Sequence, residues 1–395
     1  MKFAIRTTQI LESPTLAVTA KVQAKISQGL PVIAFTAGQP HLLPPDQMLK
    51  ALADNANQSK YTPASGVAPL REKVAQRESE RNGRKFKKEN ISVAAGVKPA
   101  LTCSLMCLVN PGDKVLLVAP FWPSYREIVI ACGGIPIVIQ TNATDNYRLT
   151  TDLLKQAFVE HGGSNLAAII LNSPSNPSGI VYTKDEFLGF ADVIRTHAPQ
   201  ISIISDEIYE DILHQGQAHF SLLGLAQDLN VVKVSGWAKG YAAPGWRIGY
   251  AVGTEEFITR YDATQSQLMG NPPAPQQYAV MGAFDDHGAF PRELSKIYQG
   301  NVQKASELFE KAQIPFIKPQ GAFYFSLLLG DYVGAGKKFA DDWALADYLL
   351  ENFNVGGIPL SPFGGPAGLR LSLACDPNLV EEGMNRIIAG LKSLR

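Results

Sequence analysis

The sequence predicts an α/β protein: a three-layer large domain around a mainly parallel sheet, with a smaller α+β domain made from both termini. Three observations carry this. Through the middle of the 395-residue chain, short Val- and Ile-rich runs alternate with helical patterns, as a sheet covered by helices on both faces requires. Towards the two ends the alternation gives way to helices with isolated strands. Finally, 46% apolar and 18% charged residues suit a globular protein with a sizeable core.

The elements follow in order. Residues 13–28 read as one helix, and Val32–Phe35 as a short strand. The large domain then offers strands at Ile91–Ala94, Lys114–Val118, Ile135–Ile139, Leu166–Leu171, Ile201–Ile204, Val231–Val234 and Ile248–Val252. Each is a short apolar run of the kind a doubly covered strand needs. A helix over Val97–Val109 stops at the turn Pro111-Gly112-Asp113. Thr183-Lys-Asp-Glu186 has the spacing of a capping box and opens a helix through Phe187 to His197. After about Asp285 come a long helix at Phe290–Lys311 and strands at Phe323–Leu328 and Leu369–Leu373, with a helix near Asp341–Phe353 between them. A last helix starts near Pro377, with proline in its first turn. The expected division is 46–285 for the large domain and 1–45 with 286–395 for the smaller one.

Composition removes several function classes. Formal net charge is zero, so no charge excess points to nucleic acid or an anionic membrane. The N-terminus lacks the apolar run of a signal peptide, and no stretch is long enough to span a bilayer. Cys103, Cys107, Cys132 and Cys375 form no CxxC pair, and six scattered histidines give no metal spacing. A cytoplasmic protein without a metal is expected.

Chemistry concentrates at strand ends, where open parallel sheets bind ligands. Leu166–Leu171 runs into Asn172-Ser-Pro-Ser-Asn176-Pro-Ser-Gly179, and Ile201–Ile204 into Ser205-Asp206-Glu207-Ile208-Tyr209. Val231–Val234 leads to Lys239 and then Pro244-Gly-Trp-Arg247, and Ile91–Ala94 to Gly96-Val97-Lys98 at a helix start. Singly, each has an ordinary explanation as a turn, a cap or a solvated charge. Jointly they place an acid, an amide, a phenol, an amine, a guanidinium and a helix N-terminus around one crevice.

That pattern, from Asn172 through Asp206-Glu-Ile-Tyr209 to Lys239 and Gly245-Trp-Arg-Ile-Gly-Tyr250, resembles the class I/II aminotransferases of fold type I, and bacterial aspartate aminotransferases most of all. The likeness runs from about Thr15 to the C-terminus. It implies a pyridoxal 5'-phosphate enzyme that moves an amino group from an L-amino acid to a 2-oxo acid such as 2-oxoglutarate by a ping-pong mechanism. Lys239 would hold the cofactor as a Schiff base and, once freed, move a proton. Asp206 would face the pyridine nitrogen, and Asn176 and Tyr209 the phenolic oxygen. Gly96, Val97 and Lys98, with Arg247, would hold the phosphate at a helix N-terminus. Tyr61 would reach the phosphate of a neighbouring subunit, which implies a homodimer with shared active sites. Trp122 would stack on the cofactor ring. Arg370 would grip the substrate carboxylate, with Gly38, Trp122 and Asn176 lining the same place.

The chain departs from the family where Ala238 replaces a hydroxyl residue before the lysine, and where Pro244 replaces a threonine. A lost charged phosphate contact is worth about 1–3 kcal/mol, and Ser235 is the expected compensation. Gly38-Gln39-Pro40-His41 stands where Gly-Glu-Pro-Asp is usual. Lys98 matches a lysine that helps bind a distal carboxylate, which favours aspartate as donor, with aromatic or neutral amino acids second. The lysine associated with prephenate falls near Leu11 or Glu12, against that substrate. The rival outcomes on the same scaffold are a β-lyase, a decarboxylase or an oxidase; a non-catalytic ligand sensor is more distant. Gly334-Ala-Gly-Lys-Lys338 lacks the glycine spacing of a phosphate loop and reads as a turn.

Overall fold

The computed structural model describes residues 1–163 and 165–394. Its strands, in chain order, are β1 (Ile33–Ala34), β2 (Ile91–Ala94), β3 (Lys114–Ala119), β4 (Ile135–Gln140), β5 (Leu166–Asn172), β6 (Ser202–Asp206), β7 (Asn230–Gly236), β8 (Gly249–Val252), β9 (Phe316–Ile317), β10 (Tyr324–Leu328), β11 (Val355–Gly356), β12 (Ile358–Pro359) and β13 (Gly368–Ser372). Seven of them form one sheet in the order β2-β8-β7-β6-β5-β3-β4. Only β8 runs against its neighbours; the other pairings are parallel.

Both faces of this sheet are covered, which is why its strands are apolar runs rather than alternating ones. Ile169 and Leu171 pack into one core cluster and Ala168 and Ile170 into another. That is the two-residue alternation of a strand, with oil on both sides. The Lys184–His197 helix on one face opens with the reciprocal box: Glu186 N donates to Thr183 Oγ1 at 3.2 Å, and Thr183 N donates to Glu186 Oε2 at 2.7 Å. The strand order turns back between β3 and β5, because β4 goes outward and β5 returns on the far side of β3. A crevice at the carboxyl ends of these strands follows from that reversal.

A second sheet, β12-β13-β10-β9, is antiparallel, and β1 pairs with β11 across most of the chain's length. Helices Ala289–Lys311, Asp342–Phe353 and Pro377–Lys392 pack around it, with Phe309, Leu349 and Met384 in one core. The sequence finds the longer strands β10 and β13 to within a residue or two. The two-residue strands β9, β11 and β12 escape it, because two residues carry no periodicity. Among the described residues no helix is long and apolar enough to cross a membrane.

Candidate active site

Strand ends and loops from both sheets enclose a cavity of about 390 Å3 lined by Gly38, Trp122, Asn176, Asp206, Lys239 and Arg370, among others. Asp206 ends β6 and is 3% exposed. Its Oδ2 accepts from the Tyr125 hydroxyl at 2.7 Å and its Oδ1 from Ile208 N at 3.2 Å. No ion pair reaches it among the described residues. Burial pushes its pKa up to about 6, against the pull of those two donors.

Asn172, at the end of β5, ties the next loop to this strand. Its Nδ2 donates to the Asp206 carbonyl at 2.8 Å, and its Oδ1 accepts from Asn176 N at 2.9 Å. Asn176 is thereby fixed in the cavity wall, with Arg370 Nη1 at 3.5 Å from its Oδ1. Tyr209, buried on the turn after β6, has its hydroxyl 2.8 Å from that of Tyr324.

Lys239 follows β7, and its Nζ donates to the Gly38 carbonyl. Burial holds its pKa down at about 8, helped by the charges of Arg370 and Arg247 and opposed by Asp206. Arg370, on β13, is buried between the rings of Tyr324 and Phe363, 4.6 and 5.3 Å from their centroids. Its Nη2 donates to the Thr36 carbonyl at 2.8 Å, while its Nε has no hydrogen-bond partner among the described residues.

Gly96, Val97 and Lys98 stand at the N-terminus of the Val97–Leu108 helix. A Cβ on Gly96 would lie 2.6 Å from Arg247 Nη2, and the residue sits at φ +105°. Only glycine fits this gap between helix start and guanidinium. Lys98 Nζ lies 4.8 Å over the Trp122 ring and donates to Ser124 Oγ at 3.1 Å. Burial and Arg247 lower its pKa.

Two residues named from sequence do not line the cavity of their own chain: Gly96, which stands behind it against Arg247, and Tyr61, which is 97% exposed. The expected compensation by Ser235 is corrected. Its hydroxyl donates to Glu210 Oε1 at 2.6 Å, on the face of β7 away from the cavity. Ala238 and Pro244 line the cavity without a hydroxyl.

Behind the Asp206–Tyr209 turn lies a charge cluster that sequence reasoning overlooked. Lys233, 1% exposed on β7, has Nζ 2.8 Å from Glu78, 3.1 Å from Glu207 and 2.6 Å from Glu210. Glu207, Glu210 and His219 bring metal-ligand atoms within 4.8 Å of one another, but the Lys233 ammonium already supplies a cation to both carboxylates. A lysine inside the apolar run Val231–Val234 was the available signal. Tyr125, three residues after Trp122, was also missed. Tyr324, and Ser13 and Thr15 at the start of the Pro14–Ser27 helix, gave no local sign.

Residues 31–387 match the family model for aminotransferase class I and II. The chain is 34% identical to an aspartate aminotransferase of Bacillus sp. (strain YM-2), with 97% of each chain covered. It is also 34% identical to an aspartate aminotransferase of Geobacillus stearothermophilus, with 98% of each covered. The solved aspartate aminotransferase of Thermus thermophilus with maleate superposes with a TM-score of 0.91 at 29% identity, over 99% of this chain and 100% of that one.

Proposed function

The chain belongs to the class I and II aminotransferases, and from that premise we propose which residues carry the transfer and which amino acid they serve. It is a pyridoxal-phosphate-dependent transaminase of fold type I. Three features at the cavity suit that cofactor: a buried carboxylate outside any ion pair among the described residues, a helix start held against a guanidinium, and a partly neutral amine. When bound, pyridoxal phosphate supplies an aldehyde that amines attack and a ring that accepts electron density.

Lys239 Nζ would hold that aldehyde and, as a free amine, would take the proton from the substrate Cα. Its low pKa leaves a useful fraction neutral near pH 7. Asp206 would keep the ring nitrogen protonated, and Tyr125 and Ile208 N hold the carboxylate in place for it. Asn176 and Tyr209 would donate to the phenolic oxygen. The N–H groups of Gly96, Val97 and Lys98 receive the phosphate, with Arg247 beside them. Trp122 covers the ring face. Arg370 and the Gly38 loop take the substrate carboxylate, and the unpartnered Nε of Arg370 supports this.

The donor is aspartate first and an aromatic or neutral amino acid second, with 2-oxoglutarate as acceptor. Lys98 supports a dicarboxylic substrate, since its ammonium overhangs Trp122 at the cavity wall; the Thermus thermophilus relative was solved with maleate, a dicarboxylate. The working form is a homodimer in which Tyr61 reaches the partner's phosphate; its near-complete exposure supports this. The smaller unit, residues 1–45 and 286–395, closes on the larger one when the carboxylate binds. Free cysteines support a reducing compartment such as the cytoplasm.

The observation that carries this reading is the convergence of Lys239, Asp206 and Arg370 on one cavity. A panel of donors with 2-oxoglutarate tests it: aspartate is expected to yield glutamate and oxaloacetate. Release of ammonia, pyruvate or peroxide without glutamate would overturn it. Arg370→Gln is expected to raise KM for every amino-acid donor about 100-fold, through the loss of charge-assisted bonds worth about 1.5–3 kcal/mol each. Steady-state kinetics read this, and an unchanged KM counts against the assignment. Cofactor uptake by the apoprotein is expected to quicken as pH rises through about 8, where Lys239 loses its proton. Only the neutral amine attacks an aldehyde. A stopped-flow rate that stays flat through that range would remove Lys239 as the attacking group.

A further inference from the structure

Tyr324 lies where the substrate-carboxylate end of the cavity meets the cofactor end. It is buried on β10, its hydroxyl is 2.8 Å from that of Tyr209, and its ring lies 4.6 Å beneath the Arg370 guanidinium. A Cβ on Gly38 would stand 2.6 Å from Tyr324 Oη, so the Gly38 loop closes the remaining side. Among the described residues the hydroxyl has one hydrogen-bond partner, Tyr209.

Proton counting then decides which phenol donates. Each hydroxyl has one proton. If Tyr209 donates to Tyr324, it has none left for the phenolic oxygen of the cofactor. If Tyr324 donates to Tyr209, the second phenol is free to donate onward, and a hydroxyl that accepts a bond donates more strongly. Arg370 favours this order. Burial raises both phenols, but the Arg370 charge beside the Tyr324 ring opposes this at Tyr324, while Tyr324 itself pushes Tyr209 further up. The titratable and charged groups coupled to Tyr324 are Tyr209 after β6, Arg370 on β13 and Tyr125 on the Ser124–Ala131 helix. Asp206 in turn acts on Tyr209, and Arg370 on Lys239.

We propose that Tyr324 is a positioning residue for transamination: it donates to Tyr209, fixes that hydroxyl, and commits its proton to the cofactor's phenolic oxygen. This rests on the assignment of Tyr209 to that oxygen. The consequence is spectroscopic. A donor on the phenolic oxygen favours the deprotonated chromophore, so loss of a donor moves the pH midpoint of the visible band upward.

The test is a double-mutant cycle on the holoenzyme, read as that midpoint in wild type, Tyr209→Phe, Tyr324→Phe and the double variant. Phenylalanine keeps each ring and its packing. Tyr209→Phe is expected to raise the midpoint by about 1–2 units, and Tyr324→Phe by about 0.5 unit. The double variant is expected to match Tyr209→Phe alone, because Tyr324 acts only through Tyr209. An unchanged midpoint in Tyr324→Phe, or shifts that add in the double variant, would overturn the proposal while leaving the role of Tyr209 intact. No shift in Tyr209→Phe would overturn the site assignment, and the relay with it.

Discussion

Lys239→Ala is expected to lose the covalent link to the cofactor altogether and to lower turnover by at least about 10⁴-fold. Two roles fall together. The first is attachment: among the groups lining the cavity, Lys239 is an amine held well below the ordinary lysine range, and alanine offers nothing to an aldehyde. The second is proton transfer at the substrate Cα, where a positioned base contributes about 10²–10⁴-fold by itself. Lys98, the other lysine at the cavity, sits over Trp122 and donates to Ser124, so it is poorly placed as a substitute. Borohydride reduction followed by intact mass measurement reads attachment, and a coupled assay reads exchange. Exchange within tenfold of wild type would refute the role given to Lys239.

Lys233→Met is expected to destabilise the protein by about 3–5 kcal/mol, the cost of stranding buried charges when one partner is removed. Glu78, Glu207 and Glu210 all lie within about hydrogen-bond reach of this one ammonium, and all are buried. Arg77 and Arg81 remain to hold Glu210 and Asp211, but among the described residues no arginine forms an ion pair with Glu78 or Glu207. Denaturation by urea measures the loss. Adding Glu78→Gln to Lys233→Met removes one stranded charge and is expected to restore more than 1 kcal/mol. A single variant within about 1 kcal/mol of wild type would show that the cluster is not electrostatically coupled. The pH dependence has a definite sign. Burial alone would raise the Glu207 pKa, but Lys233 and His219 hold it at about 2. A carboxylate depressed in the folded state contributes its full stability above its unfolded value, near 4.5. That contribution fades as pH falls through about 2.

The part of the site that could be read from the chain is the part built from local segments. Asp206 and Tyr209 sit on one turn, Asn172 and Asn176 on one loop, and Lys239 and Arg247 on one stretch after β7. Each follows an apolar run that declares itself a strand, so its place at a carboxyl end was already implied. Ser235 shows where such reading fails. It and Lys233 are two residues apart on β7, so they share a face, and that face looks into the charge cluster rather than the cavity. A buried strand is apolar on both sides, so its pattern does not say which face holds the ligand.

By itself, then, the sequence determined the α/β class, the order of the long strands and the residue types waiting at their ends, since these depend on periodicity and turn chemistry over a few residues. Tertiary structure alone decided the pairings across great separations. Lys239 meets Gly38 across 201 positions, Tyr209 meets Tyr324 across 115, and Arg370 meets Thr36 across 334. Such contacts arise from how the second sheet and its helices pack against the strand ends, and no short-range pattern encodes that packing.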